Sequence, residues 1–174
     1  MKFKLRIPAG RVKEYQERYN YEVEQSLEKF RGIAKRQGHL TAGQLYEICK
    51  WKSRRRAKLA QQNDPSLVKE LTAFAFRASH QAARIGSLTL LEGVHYPTAS
   101  VILHFCVDSS YPILDFRALW SLGIKKPSAY TAKFWTEYVQ VCREVAKEHG
   151  VTVRELDMAL WQYSKRKSRK KATK

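Results

Sequence analysis

The sequence predicts an all-α fold, a compact multi-helix domain arranged about a helical hairpin. Apolar residues recur at steps of three and four through most of the chain, the spacing that gathers them on one face of a helix. Thr41 and Thr152 are each followed three residues later by Gln44 and Glu155, and Asp64 is followed by Pro65. These are the marks of two capping boxes and of an N-cap with proline at the first helical position. No apolar–polar alternation extends past the first six residues and no segment repeats, so no sheet is predicted. With 174 residues, the chain can bury a core without disulfides or metal, and residues 1–164 are expected to form a single domain.

From Arg11 to Gln37, the spacing of Tyr15, Tyr19, Val23, Leu27, Phe30 and Ile33 predicts one long amphipathic helix, stopped by Gly38. Thr41 opens a helix to about Trp51 with Leu45, Ile48 and Cys49 inward. Asp64-Pro65 opens another that carries Leu67, Val68, Leu71, Phe74 and Ala75. A connection carrying Arg77, His80 and Arg84 leads to a helix ending near Glu92. Gly93 stops it, and Pro97 starts the next after only Val94, His95 and Tyr96, which makes a helical hairpin with Val101, Ile102, Leu103 and Phe105 in its second arm. After the polar loop Val107–Pro112, Asp115 stands where it caps a helix from Phe116 to Leu122. Thr131 caps a helix through Glu148, Gly150 ends it, and Thr152 opens a last core helix with Leu156, Leu160 and Trp161. Trp120, Trp135 and Trp161 all fall in apolar stripes and read as core. Beyond Ser164 seven of ten residues are basic, with nothing to bury, so residues 165–174 are expected to be a disordered tail.

The 33 Lys and Arg against 16 Asp and Glu give a formal charge of +17, which draws the protein to polyanions. Nucleic acid is the expected partner, double-stranded DNA first and RNA as an alternative. No apolar run reaches the 18 or so residues of a membrane span, and MKFKLRIPAG has no signal-peptide core, so a cytosolic or nucleoid setting without membrane partners is expected. Cys49, Cys106 and Cys142 are odd in number and far apart, which fits buried thiols and neither disulfides nor a zinc or iron–sulfur spacing.

A short turn between two helices points backbone amides at whatever lies above it, and phosphate is the natural guest. In this chain Leu91, Gly93, Val94, Thr98 and Ala99, then Ile102 and Leu103, then Pro112-Ile113-Leu114-Asp115 follow in order. That order resembles the helix-hairpin-helix superfamily of base-excision DNA glycosylases, with the adenine-glycosylase form of the segment the closest in kind, over about Leu88 to Gly123. The resemblance implies a base flipped from the duplex into a pocket, Asp115 as catalytic carboxylate, and Gly93, Val94, His95, Tyr96 and Thr98 against backbone phosphate. A fixed negative charge suits a reaction that builds positive charge on the sugar. Bifunctional members carry a lysine immediately before the position of Thr98, where this chain has Pro97. The implied enzyme is therefore monofunctional. His95 replaces the hairpin's second glycine, which implies an altered or unusual turn, the four-cysteine cluster motif is absent so no cofactor is implied, and no second carboxylate is matched.

The segment from Trp51 to Lys58 is the densest basic feature before the tail. It reads either as a solvated helix end or with Lys52, Arg54, Arg55 and Arg56 on phosphates and Trp51 stacked on a base or filling the gap a flipped base leaves. Arg117 is expected to pair with Asp115 or to reach phosphate. The same residues also suit a module that binds DNA or RNA without breaking a bond, with Asp115 as an N-cap alone.

Overall fold

The computed structural model describes residues 1–172 and, through Ser168, their side chains. All regular structure among them is helical: α1 (Val12–Glu17), α2 (Gln25–Glu28), α3 (Ile33–Arg36), α4 (Ala42–Lys52), α5 (Arg54–Ala60), α6 (Pro65–Arg77), α7 (Gln81–Leu88), α8 (Tyr96–Ile102), α9 (Phe116–Ser121), α10 (Ala132–Glu148) and α11 (Val153–Ala172). A 3-10 turn (Tyr21–Glu24) precedes α2, and a π-helical turn (Leu103–Val107) extends α8. No helix among the described residues is long and apolar enough to cross a membrane.

The caps act where the sequence places them. Thr41 and Gln44 form a full capping box, Asp64 Oδ1 accepts from the amides of Ser66 and Leu67, Thr131 accepts from Phe134, and Thr152 and Glu155 cap each other. Each such cap contributes about 1 kcal/mol. α11 is the central element, with α1, α9 and α10 packed on it. A continuous apolar cluster surrounds it, in which Trp135, Tyr138 and Phe105 are the largest fully buried side chains. The three cysteines are free and buried within it, and burial pushes their thiols up.

The single helix expected over 11–37 is broken. Asn20 leaves helical space at φ −79°, ψ 103° and its side chain accepts from the Glu22 amide, while Gly32 takes φ +67°, open to glycine at little cost. The breaks rotate the middle of the segment, so Val23 is 54% exposed and Glu24 is 1% exposed. On α6, Val68, Thr72, Ala75 and Phe76 are buried, and Leu67 and Phe74 face solvent. α7 stops at Leu88, four residues short of Glu92, and Arg84 lies inside it. Trp120 and Trp161 are only half-buried; Trp135 alone of the three is sealed.

The tail differs as well. α11 continues to Ala172, so the residues expected to be disordered from Lys165 are helical that far, and Thr173 and Lys174 lie outside the described residues. No glycine or proline follows Ser164, and lysine and arginine are good helix formers. Lys165 and Lys167 lay their ammonium groups over the rings of Trp161 and Tyr163, one turn back, at 4.7 and 5.5 Å, which gives the charged turns something to hold.

Candidate active site

A cavity of about 760 Å³ opens among the N-terminal 3-10 turn, the end of α4, the start of α9 and the middle of α11. Asp115 lies on its wall. Its Oδ1 accepts from the Arg117 amide at 2.8 Å and so caps α9, while Oδ2 stands 3.2 Å from Lys52 Nζ. The side chain keeps 20% of its surface exposed, so the cap does not seal it. The segment leading to it is fixed from two sides: Ser100 Oγ accepts from the Leu114 amide at 2.9 Å, and the Tyr138 hydroxyl donates to the Ile113 carbonyl at 3.1 Å. Both anchors are buried, which holds the carboxylate to one position.

The same cavity exposes a second set of charges that the sequence did not single out. Asp157 of α11 and Glu24 both line it, and both bond to Arg154, Asp157 at 3.0 Å and Glu24 in direct contact. The Tyr19 hydroxyl donates to Glu24 at 2.6 Å. Burial pushes the Asp157 carboxyl up to about 7, aided by the nearby Glu24 and opposed by Arg154. Burial thus favours the protonated form of Asp157 on the same cavity that Asp115 lines. Two carboxyl groups in unlike environments on one cavity are an acid–base arrangement. Among the described residues no three His, Cys, Asp or Glu side chains converge on a metal position.

Gly93 turns the chain at φ +80°, and a Cβ there would lie 2.9 Å from the Ala60 nitrogen and 3.1 Å from the Arg56 carbonyl. The glycine thus seats the turn on the backbone of α5, which accounts for it without any ligand. Asn63 completes the join, accepting from the Glu92 amide at 2.8 Å and donating to the Glu92 and Ala60 carbonyls at 3.0 and 3.0 Å. Gly93, Val94 and Thr98 are buried, and the amides of Val94 and Thr98 donate to the Leu91 and His95 carbonyls at 3.0 and 2.8 Å. His95 is exposed and Tyr96 half-exposed. His95 sits in extended backbone at φ −112°, ψ 174°, a conformation any residue adopts, so the missing second glycine leaves no strain. Partial burial and the neighbouring Arg56 lower its imidazole below the ordinary range.

The basic segment joins these two places. Lys50, Lys52 and Arg54 line the cavity and the Arg56 backbone lies under Gly93, while Arg54 and Arg55 are exposed. Lys52 turns inward to Asp115 and away from solvent, the reverse of a phosphate contact at the surface. Trp51 is also committed: its indole N–H donates to the Val23 carbonyl at 2.7 Å and its ring meets Phe105 edge-on at 6.2 Å. It is a cavity wall and not a free wedge. Arg117 neither pairs with Asp115 through its guanidinium nor hangs free; it lies over Phe116 and Trp161 at 5.1 and 5.6 Å. Trp161, expected in the core, and Tyr19 are further aromatic walls, and Phe116, 60% exposed, stands at the helix start beside Asp115.

No family model, curated protein or solved structure matches this chain.

Proposed function

We propose that the chain binds double-stranded DNA and hydrolyses the N-glycosidic bond of a damaged or mismatched base flipped into the cavity, after the manner of helix-hairpin-helix glycosylases. The observation that carries this reading is Asp115: a fixed, partly exposed carboxylate on a cavity large enough for a nucleobase, at the end of a basic strip. Its second oxygen, 3.2 Å from Lys52 Nζ, would stabilise positive charge developing on a sugar in the cavity, an effect of about 3–4 kcal/mol in a partly dry site. Asp157, whose carboxyl burial pushes up toward the protonated form, is the group suited to hand a proton to a departing base. The walls of Tyr19, Trp51 and Trp161 offer planar faces for stacking. The exposed Arg54 and Arg55, with His95 and Tyr96 at the turn, would hold the backbone on either side.

A non-catalytic module for DNA or RNA has one specific observation in its favour. Asp115 already has two structural partners, the Arg117 amide and Lys52, so its presence does not by itself require chemistry. Oligonucleotides bearing uracil, alkylated purines, oxidised guanine or deaminated bases, followed by alkaline cleavage of abasic sites, separate the readings. Product from at least one duplex supports the enzyme. Tight, salt-sensitive binding with no product from any lesion supports the module.

A further inference from the structure

Cations at the start of α9 and in the last turns of α11 have no counter-charge among the described residues. No acidic residue follows Asp157 in the sequence, and none of the ion pairs among the described residues involves Arg117, Lys165 or Lys167. Aromatic rings hold them where carboxylates do not. Trp161 carries the Lys165 ammonium at 4.7 Å and the Arg117 guanidinium at 5.6 Å, and the Lys167 ammonium lies 5.5 Å from the centre of the Tyr163 ring. Arg117 Nη1 also donates to Ser168 Oγ at 3.4 Å, and that hydroxyl donates to the Ser164 carbonyl at 2.9 Å, which ties α9 to the last turns of α11. Asp157, Trp161 and Lys165 follow one another at steps of four on α11 and so share one row. The first two line the cavity, whereas Lys165 and Arg117 do not. The row therefore runs out of the cavity onto a positive surface, on a different wall from the one that Lys50 and Arg54 form.

Like charges gathered on one surface repel each other, and a polyanion relieves that repulsion. We infer that Arg117, Lys165 and Lys167 form a second phosphate-binding edge, which follows the backbone of duplex DNA away from the cavity and lengthens the contact beyond the nucleotide that enters it. The rings suit this use. They fix the cations without neutralising them, so little side-chain freedom is lost when phosphate arrives and no carboxylate has to be displaced. The helix supplies the reach: from Trp161 to its end at Ala172, α11 rises about 16 Å, a length over which one strand presents several phosphates. The inference rests on the reading that the chain binds duplex DNA at the cavity, but not on removal of a base.

The test measures the affinity of the full chain for a long, undamaged DNA duplex across a range of salt. Arg117→Gln/Lys165→Gln/Lys167→Gln is expected to flatten the slope of log affinity against log salt by about three and to weaken binding at low salt at least about tenfold. Removing three exposed cations of α10 instead, in Lys133→Gln/Arg143→Gln/Lys147→Gln, changes the slope by less than about one. The charge-preserving Lys165→Arg/Lys167→Arg keeps the wild-type slope, and the glutamine variant of the edge unfolds at the wild-type midpoint or above it, because repulsion has been relieved. A slope unaltered by the glutamine variant, an equal change in the α10 control, or a loss confined to duplex RNA overturns the inference. So does lost binding in the arginine variant together with a lower unfolding midpoint in the glutamine variant, which marks a structural role. Because the duplex carries no lesion, an unaltered slope in a protein that releases base from a lesion duplex overturns the edge alone, and a flattened slope in one that releases none overturns base hydrolysis alone.

Discussion

At the scale of single residues, the cap that Asp115 forms and the chemistry proposed for it make different demands on its side chain. Capping α9 needs only an oxygen acceptor, which asparagine supplies as well as aspartate. Asp115→Asn is therefore expected to lower stability by no more than about 1 kcal/mol in chemical denaturation, and a larger loss would mean that the charge pair with Lys52 is holding the fold. Asp157 makes the opposite case, a buried acid whose ionisation opposes folding. With its pKa near 7 when folded and about 3.9 when unfolded, the folded state binds the extra proton, so this group's contribution to stability declines as pH rises from about 4 to 7. Asp157→Asn should remove that decline, seen as a gain relative to wild type that grows with pH across this window. Asp115 was legible in the sequence because its helix and loop are adjacent to it. Glu24 and Asp157 were not, since Glu24 meets its Arg154 partner across 130 residues and no local pattern records that meeting.

Among the elements, the turn before α8 and the π-helical turn after it carry the structural risk. Gly93→Ala puts a methyl group into the α5 backbone at a positive φ, and is expected to cost about 1–3 kcal/mol while weakening DNA binding, as the turn lifts from the basic segment. Unchanged denaturation midpoints would refute this seating. In the π turn, His104 is buried with Nδ1 2.7 Å from the Tyr111 carbonyl, and burial, reinforced by the Arg154 charge, lowers its pKa to about 3. Here the unfolded chain binds the extra proton between about 6.5 and 3, so stability falls with acid, by up to about 1.4 kcal/mol per pH unit for one proton. That loss opposes the Asp157 effect, and only the variants Asp157→Asn and His104→Gln, measured side by side from pH 4 to 8, resolve the two slopes. Caps at Thr41, Asp64, Thr131 and Thr152 were readable because each involves residues two or three apart. The breaks at Asn20 and Gly32 left the apolar spacing intact, and so a periodicity over 11–37 concealed them.

For the whole molecule, the all-helical class followed from pattern alone, whereas the convergence of α4, α9 and α11 on one cavity required the fold. The formal charge of +17 is organised in part as a strip running from the cavity to the Gly93 turn. DNA affinity should drop steeply with salt, and Arg54→Ala and Arg55→Ala should each reduce the slope of log affinity against log salt by about one. Both residues are exposed, so stability should change by no more than about 0.5 kcal/mol. A slope unaltered by either change would move the nucleic-acid face elsewhere on the surface. The reading as a whole depends on Asp115 acting on a bound nucleotide, and single-turnover base release at saturating DNA measures that step directly. Asp115→Asn is predicted to bind the same duplex within about twofold of wild type yet release base at least about 100-fold more slowly; equal release rates at equal binding would contradict it.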